Sequence, residues 1–296
     1  MHNFVFTFAS WNVCGLGQTL KCADVLSEIL ALKPTAVFLQ ETKLDHLDIF
    51  KTRSFLPRTL DNIQCKPSIG TTGGMINAFS SNHFMLISQS FTDYTLTSVV
   101  TSLATSEHIY MTNVYAPTDH LLKQDFLNHL QTSQPPQNSP WIILGDFNLM
   151  RSPSDKNNDS FRSAEADLFN DTIDSLSLIE LPLLDQAYTW SNNRAQPTLQ
   201  KIDRVFVNLA WDLLFPNSSV SSLTRFVSDH VPLIASIQTT VPRPATFRFE
   251  NAWANWASCQ ATVSSSWAAA HQNSNNSSIV AALKSTRSAL KIWKKQ

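Results

Sequence analysis

The sequence predicts an α/β protein: a four-layer α/β/β/α sandwich of two packed mixed sheets flanked by helices, with a C-terminal helical extension. Three observations carry this. Short apolar runs of strand length recur from residue 1 to about 238, helical patterns fall between groups of strands, and composition shifts where Pro242 and Pro244 punctuate the text. The expected organisation is a domain over 1–238, a linker over 239–252 and helices over 253–296.

Taken in order, "NFVFTFASWN" alternates at period two and turns at Gly15. "CADVLSEILALKP" places Val25, Leu26, Ile29, Leu30 and Leu32 on one helical face and stops at Pro34. "TAVFLQET" is a short buried strand ending on a carboxylate. "MINAFS", "FMLISQSF", "TSVVTSLA", "HIYMTNVYAP" and "WIILGDFN" have strand character, and "SAEADLFNDTIDSL" reads as a helix capped by Ser163, with Leu168, Ile173 and Leu176 near one face. "YTWSNN", "KIDRVFVN" and "VPLIASIQ" close the series. Beyond the linker, two helices surround a polar Asn/Ser gap, the last carrying Ile279, Leu283, Leu290 and Trp293.

At 296 residues, 43% hydrophobic and 15% charged, the chain can bury a large core. A net charge of -1 excludes a globally basic nucleic-acid binder while allowing local basic strips. The four cysteines form no CxxC pair and "MHNFVFTFAS" lacks a basic n-region, which predicts reduced thiols inside a cell. No run approaches about 18 apolar residues, so no membrane span is expected.

Acidic and amide residues collect at the ends of apolar runs: Asn12, Glu41, Asp146, Asn148, Asp203, Asp229 and His230. Singly, each suits a turn or a surface ion pair. Together, at strand ends that converge on one rim, several carboxylates would repel by roughly 4 kcal/mol per pair at 4 Å in an effective dielectric near 20. A divalent cation resolves that repulsion. An all-oxygen donor set without Cys or His clusters suits Mg²⁺ or Mn²⁺, whose remaining positions usually take water or phosphate oxygens, so a phosphate ester is the expected substrate. In "WIILGDFN" the strand period should return Asn148 to the side of Asp146 and turn Phe147 into packing, and Gly145 should permit a close approach.

"SWNVCGL", "FLQET", "NVYAP", "ILGDFN", "KIDRVF" and "SDHVPL", in this order, resemble the endonuclease/exonuclease/phosphatase superfamily over residues 4 to 237. "SPSDKNN", "LPLLDQAYTWSNN", "KIDRVFVNLAWDLLFP" and "FRFENAW" resemble the endonuclease domain of plant LINE-type non-LTR retrotransposon polyproteins. The resemblance implies that Asn12, Glu41 and Asp229 hold Mg²⁺ (or Mn²⁺), with a second ion, where one operates, beside Asp146, Asn148 and His230. It implies that Asp146 activates water, Asn148 orients it, His230 paired to Asp203 contacts the phosphate, and Tyr115 sits near the leaving group. Thr189 and Lys201 would touch the nucleic acid.

The implied reaction is nicking of double-stranded DNA to leave a 3′-hydroxyl, in the nucleus, as the N-terminal part of a polyprotein whose reverse transcriptase follows. Two other readings share these residues: a catalytically dead retroelement remnant that binds nucleic acid, and a phosphomonoesterase. Cys14 and Thr118 stand where AP endonucleases and many members carry Asp and Asn, which argues against an abasic-site enzyme.

Overall fold

The computed structural model describes residues 5–70, 72–225, 227–238, 249, 251–272 and 279–293. Two six-stranded sheets form the body of the larger unit, Met1–Val241. The first orders its strands β13 (Ser219–Ser222), β14 (Leu233–Gln238), β1 (Val5–Asn12), β2 (Ala36–Gln40), β4 (Thr72–Phe79) and β3 (Asn62–Ile69). The second runs β5 (Phe84–Phe91), β6 (Thr95–Ser102), β7 (His108–Tyr115), β8 (Trp141–Asp146), β12 (Asp203–Val207) and β9 (Ile179–Glu180). β10 (Trp190–Ser191) and β11 (Leu199–Gln200) form a separate small hairpin. Both sheets are mixed: β1 and β2 are parallel, as are β7 and β8, and their other neighbours are antiparallel.

Strand alternation sorts the core into layers. Phe6 and Phe8 of β1, Phe38 of β2, Ile142 and Leu144 of β8 and Val205 and Val207 of β12 meet between the sheets. The opposite faces bury Trp11, Val37 and Leu39 under α1 (Thr19–Leu32) and α2 (Ile49–Phe55), and Trp141, Ile143 and Phe206 under α3 (Lys123–Thr132) and α4 (Ser163–Ser175). A short α5 (Leu209–Leu214) places Trp211 in the central layer. Four layers result, as the sequence predicts. Because both faces of β2, β8 and β12 are covered, these strands are apolar at every position until a polar end emerges.

Several local expectations need correction. In α1, Val25 and Ile29 are buried while Leu30 is 51% exposed, because the helix meets the sheet along a narrower stripe than the apolar text suggests. In α4 the buried set is Ala166, Phe169, Thr172 and Ile173; Leu168 faces outward, and Ser163 is the first helical residue with Arg162 at the cap position.

The smaller unit, Pro242–Gln296, contains α6 (Ala257–Gln272) and α7 (Ile279–Trp293). Trp253, Cys259 and Leu290 form its core, with Val263 and Trp293 against them. Ile279 and Leu283 of the apolar stripe are exposed. Most of the expected linker lies outside the described residues. Among the described residues no helix is long and apolar enough to cross a membrane.

Candidate active site

Backbone register assembles the site. In the second sheet Tyr115 of β7 pairs with Asp146 of β8, and Asp146 pairs with Asp203 of β12, so three polar residues stand level at one end of these strands. In the first sheet Asn12 pairs with Gln40, and Glu41 follows at once. Parallel pairing makes β1 and β2 end together, as it does β7 and β8, which brings both sets of ends to one rim.

Asp146 is the centre. Its carboxylate accepts from Asn12 Nδ2 at 3.0 Å, from the Asn148 backbone N–H at 2.9 Å and from Asn148 Nδ2 at 3.2 Å. His230 Nε2 lies 3.8 Å from Asp146 Oδ2. On its other nitrogen, Nδ1, His230 meets Asp203 Oδ2 at 2.9 Å and Oδ1 at 3.1 Å. Asn12 Nδ2 also donates to Glu41 Oε2 at 3.2 Å, which ties the two sheets through one amide.

Asn148 reaches Asp146 by a route the strand period does not supply. β8 ends at Asp146, and Asn148 turns to φ +48 so that its backbone and side chain both fold back on the carboxylate. Phe147 is fully buried, as expected. Gly145 has φ +141, and a Cβ there would stand 2.1 Å from the Val114 carbonyl oxygen. Cys14, Glu41 and Lys43 share the left-handed conformation with Asn148, a concentration of local strain that the surrounding ladders must hold.

Electrostatics follow from burial. Burial pushes the Asp146 carboxyl up to about 7, with Asp203 adding to the rise and the neighbouring imidazole opposing it. Burial works against charge on His230, but Asp203 and Asp146 outweigh it and carry the imidazole up to about 9. Burial, then Glu41 and Asp146, drive the Tyr115 phenol upward, so it keeps its proton. Asp146, Asp203 and His230 present ligand atoms within 4.8 Å of one another, the geometry of a group that can hold a divalent metal. Glu41 and Asp229 act together on a second corner: both raise the Cys14 thiol after burial has done so, and both act on Lys43.

The endonuclease/exonuclease/phosphatase family profile matches residues 9–230, which include every residue of this site. The chain belongs to the endonuclease/exonuclease/phosphatase family. Solved structures with the same fold include the AP endonuclease LMAP from Leishmania major (18% identity, 79% of this chain and 88% of that one, TM-score 0.60). The endonuclease domain of TRAS1, a telomere-specific non-LTR retrotransposon, matches at 16% identity over 80% and 99%, TM-score 0.59. The APE2 catalytic domain of Xenopus laevis matches at 17% identity over 80% and 94%, TM-score 0.61. No curated protein matches.

Within this family frame, the structure brings Asn12, Glu41, Tyr115, Asp146, Asn148, Asp203, Asp229 and His230 to one rim. Asn12, expected as a metal ligand, instead offers Nδ2 to both carboxylates while its Oδ1 accepts from the Cys14 N–H at 3.0 Å. Thr189, expected at nucleic acid, is fully buried: its hydroxyl oxygen accepts the N–H groups of Ile202 at 3.1 Å and Asp203 at 3.0 Å, anchoring the start of β12. Lys201 turns its ammonium to Glu180 at 2.8 Å, in a cluster with Arg151, Asp155 and the buried Arg204. A partly buried carboxylate next in space outcompetes solvent for that amine.

Sequence reasoning missed three contributors. Ser228 donates to the Asn12 carbonyl at 2.7 Å and accepts the His230 N–H at 3.2 Å. Lys43 pairs with Glu41 at 2.9 Å. Lys123, buried and pushed down to about 8 by that burial, donates to the carbonyls of Pro117 at 2.5 Å and Asn148 at 2.7 Å. "SDH" and "QETK" put the first two beside recognised motifs; nothing local marks Lys123.

Proposed function

We propose that this chain is a Mg²⁺-dependent (or Mn²⁺-dependent) endonuclease that hydrolyses a phosphodiester of double-stranded DNA and leaves a 3′-hydroxyl and a 5′-phosphate. The observation that carries the reading is Asp146 itself: held by Asn12 at 3.0 Å, it lies 3.8 Å from an imidazole nitrogen that points into the site. That pairing sets a base beside an acid. A carboxylate brought near the working pH is well matched to take the proton of an attacking water, and Asn148 and Asn12 fix its orientation.

His230, kept as imidazolium by Asp203, faces a phosphoryl oxygen as negative charge develops there. The Tyr115 phenol, which retains its proton, stands on the leaving-group side. Glu41 and Asp229 would hold the metal, which supplies Lewis-acid neutralisation of the phosphoryl charge. The oxygen of water bonds to phosphorus as Asp146 takes one of its protons, the P–O3′ bond breaks, and the departing O3′ takes a proton from solvent to end as the 3′-hydroxyl.

The TRAS1 likeness and the LINE-type motifs support a retroelement setting, in which the new 3′-hydroxyl primes a reverse transcriptase of the same polyprotein and the work is done in the nucleus. The site residues are all present, and Asn12, Glu41, Asp146 and Asn148 are joined by hydrogen bonds, as are Asp203 and His230, which favours activity over a decayed remnant. The purified chain should nick supercoiled plasmid with Mg²⁺ and not with EDTA, and Asp146→Ala or His230→Ala should abolish nicking. Nicking that survives in both variants, or an intact plasmid beside phosphate released from phosphomonoesters, overturns the proposal.

A further inference from the structure

Asp229 sits half-buried at the rim, and a carboxylate there can rotate. One contact fixes it: the Trp190 indole N–H donates to Asp229 Oδ2 at 2.9 Å. Its other hydrogen-bond neighbour among the described residues, the Ser228 hydroxyl, is 3.4 Å from Oδ1 and already donates to the Asn12 carbonyl. The indole is therefore the short bond that sets the orientation of the Asp229 carboxylate.

Trp190 is itself placed by backbone rather than by chance packing. It opens the β10–β11 hairpin, and its backbone bridges His230. The Ser191 N–H donates to the Asp229 carbonyl at 3.0 Å, and the Val231 N–H donates to the Thr189 carbonyl at 2.9 Å. These links bracket Trp190 against Asp229 and His230 on both sides, so the indole nitrogen arrives at the carboxylate as a fixed point of the hairpin. A phenylalanine in the same slot would fill the space and donate nothing.

We infer that Trp190 is a positioning residue for the metal site: its indole N–H orients Asp229 and thereby raises the chain's affinity for a divalent cation. The inference rests on the reading of Asp229 as a ligand given under the proposed function. A ligand carboxylate that has lost its outer hydrogen-bond partner typically binds metal about 10–100-fold more weakly.

The test is direct metal binding by the full chain, with Mn²⁺ titrated into metal-free protein and read by the loss of the free-ion paramagnetic signal. Trp190→Phe should weaken Mn²⁺ binding about ten-fold, and Trp190→Met should do the same should the Phe variant fail to fold. Asp229→Asn should weaken it further, and Trp190→Phe added to Asp229→Asn should cost nothing more, because the indole acts through that carboxylate. Wild-type affinity in a folded Trp190→Phe beside a weakened Asp229→Asn overturns the inference alone. Unchanged affinity in Asp229→Asn overturns it together with the reading of Asp229 as a ligand. Additive losses in the double variant also overturn it, since they assign Trp190 a role independent of Asp229.

Discussion

Asp203 meets His230 Nδ1 with both carboxylate oxygens, at 2.9 and 3.1 Å, and leaves Nε2 facing Asp146. This grip fixes the ring's orientation and its charge together. The folded imidazole, at about 9, lies above its ordinary 6.5, so its contribution to stability is complete below about 6.5 and disappears as pH rises through 9.

Asp203→Asn should lower the folded imidazole's pKa and move the alkaline limb of the nicking profile toward neutrality. At pH 8 the rate should drop by about 10²–10⁴, the usual contribution of a positioned acid. A pH–rate profile whose alkaline limb stays in place would show that Asp203 does not hold the charge.

Asp146 is buried with its carboxyl raised from 3.8 to about 7. Between those two values the folded state binds the extra proton, so this group favours folding at low pH and its contribution falls as pH rises through 7. In the absence of metal at pH 8, Asp146→Asn should therefore melt higher than the wild type, by about 2–4 °C for each kcal/mol relieved, while nicking nothing. A lower melting temperature would mean that the carboxylate stabilises the empty site.

Arg204 lies within the sheet and binds Glu180 and Asp155, and Glu180 also accepts from Lys201 and Arg151. Burial works against the Glu180 charge, but Arg204, Lys201 and Arg151 hold the carboxyl down to about 2, so its stabilising share is present above 4.5 and lost as pH falls toward 2. Arg204→Ala should cost about 3–5 kcal/mol, since it takes the guanidinium partner from the buried Asp155 carboxylate and one of three cations from Glu180. Lys201→Ala should cost about 1 kcal/mol or less and leave the salt dependence of DNA binding unchanged; a slope reduced by about 1 would instead make Lys201 a phosphate contact.

Gly145→Ala should destabilise the domain by roughly 3 kcal/mol or more, combining a φ that side chains avoid with a collision against backbone. Denaturant unfolding measures this. A loss under 1 kcal/mol would show that β7 can move away from β8 at little cost.

The legible parts of the fold were those where burial is uniform. β8 and β12 are buried throughout, with apolar runs at Trp141–Leu144 and Val205–Val207, and they end on Asp146 or begin at Asp203, so strand and site appear in the same line of text. β3 escaped because its side chains are mostly half-exposed and it contains Pro67, which an outer strand tolerates. α3 escaped because Phe126, Leu127 and Leu130 are its main apolar contacts in an otherwise polar stretch. The site's membership was legible from motif order. Its internal wiring was not: Thr189, assigned to nucleic acid by the resemblance, uses its hydroxyl inside the fold on the backbone at the start of β12, and the Trp190–Asp229 bond joins residues 39 positions apart.

Because Tyr115, Asp146 and Asp203 share one level of the ladder, a slip of β8 by a single residue would substitute Phe147 for Asp146 at that level and turn the acid to the opposite face of the sheet. Misfolded copies would then be inert rather than sloppy. For the proposed nicking reaction, a chain paired one residue out of register would lack the carboxylate that takes the proton of water.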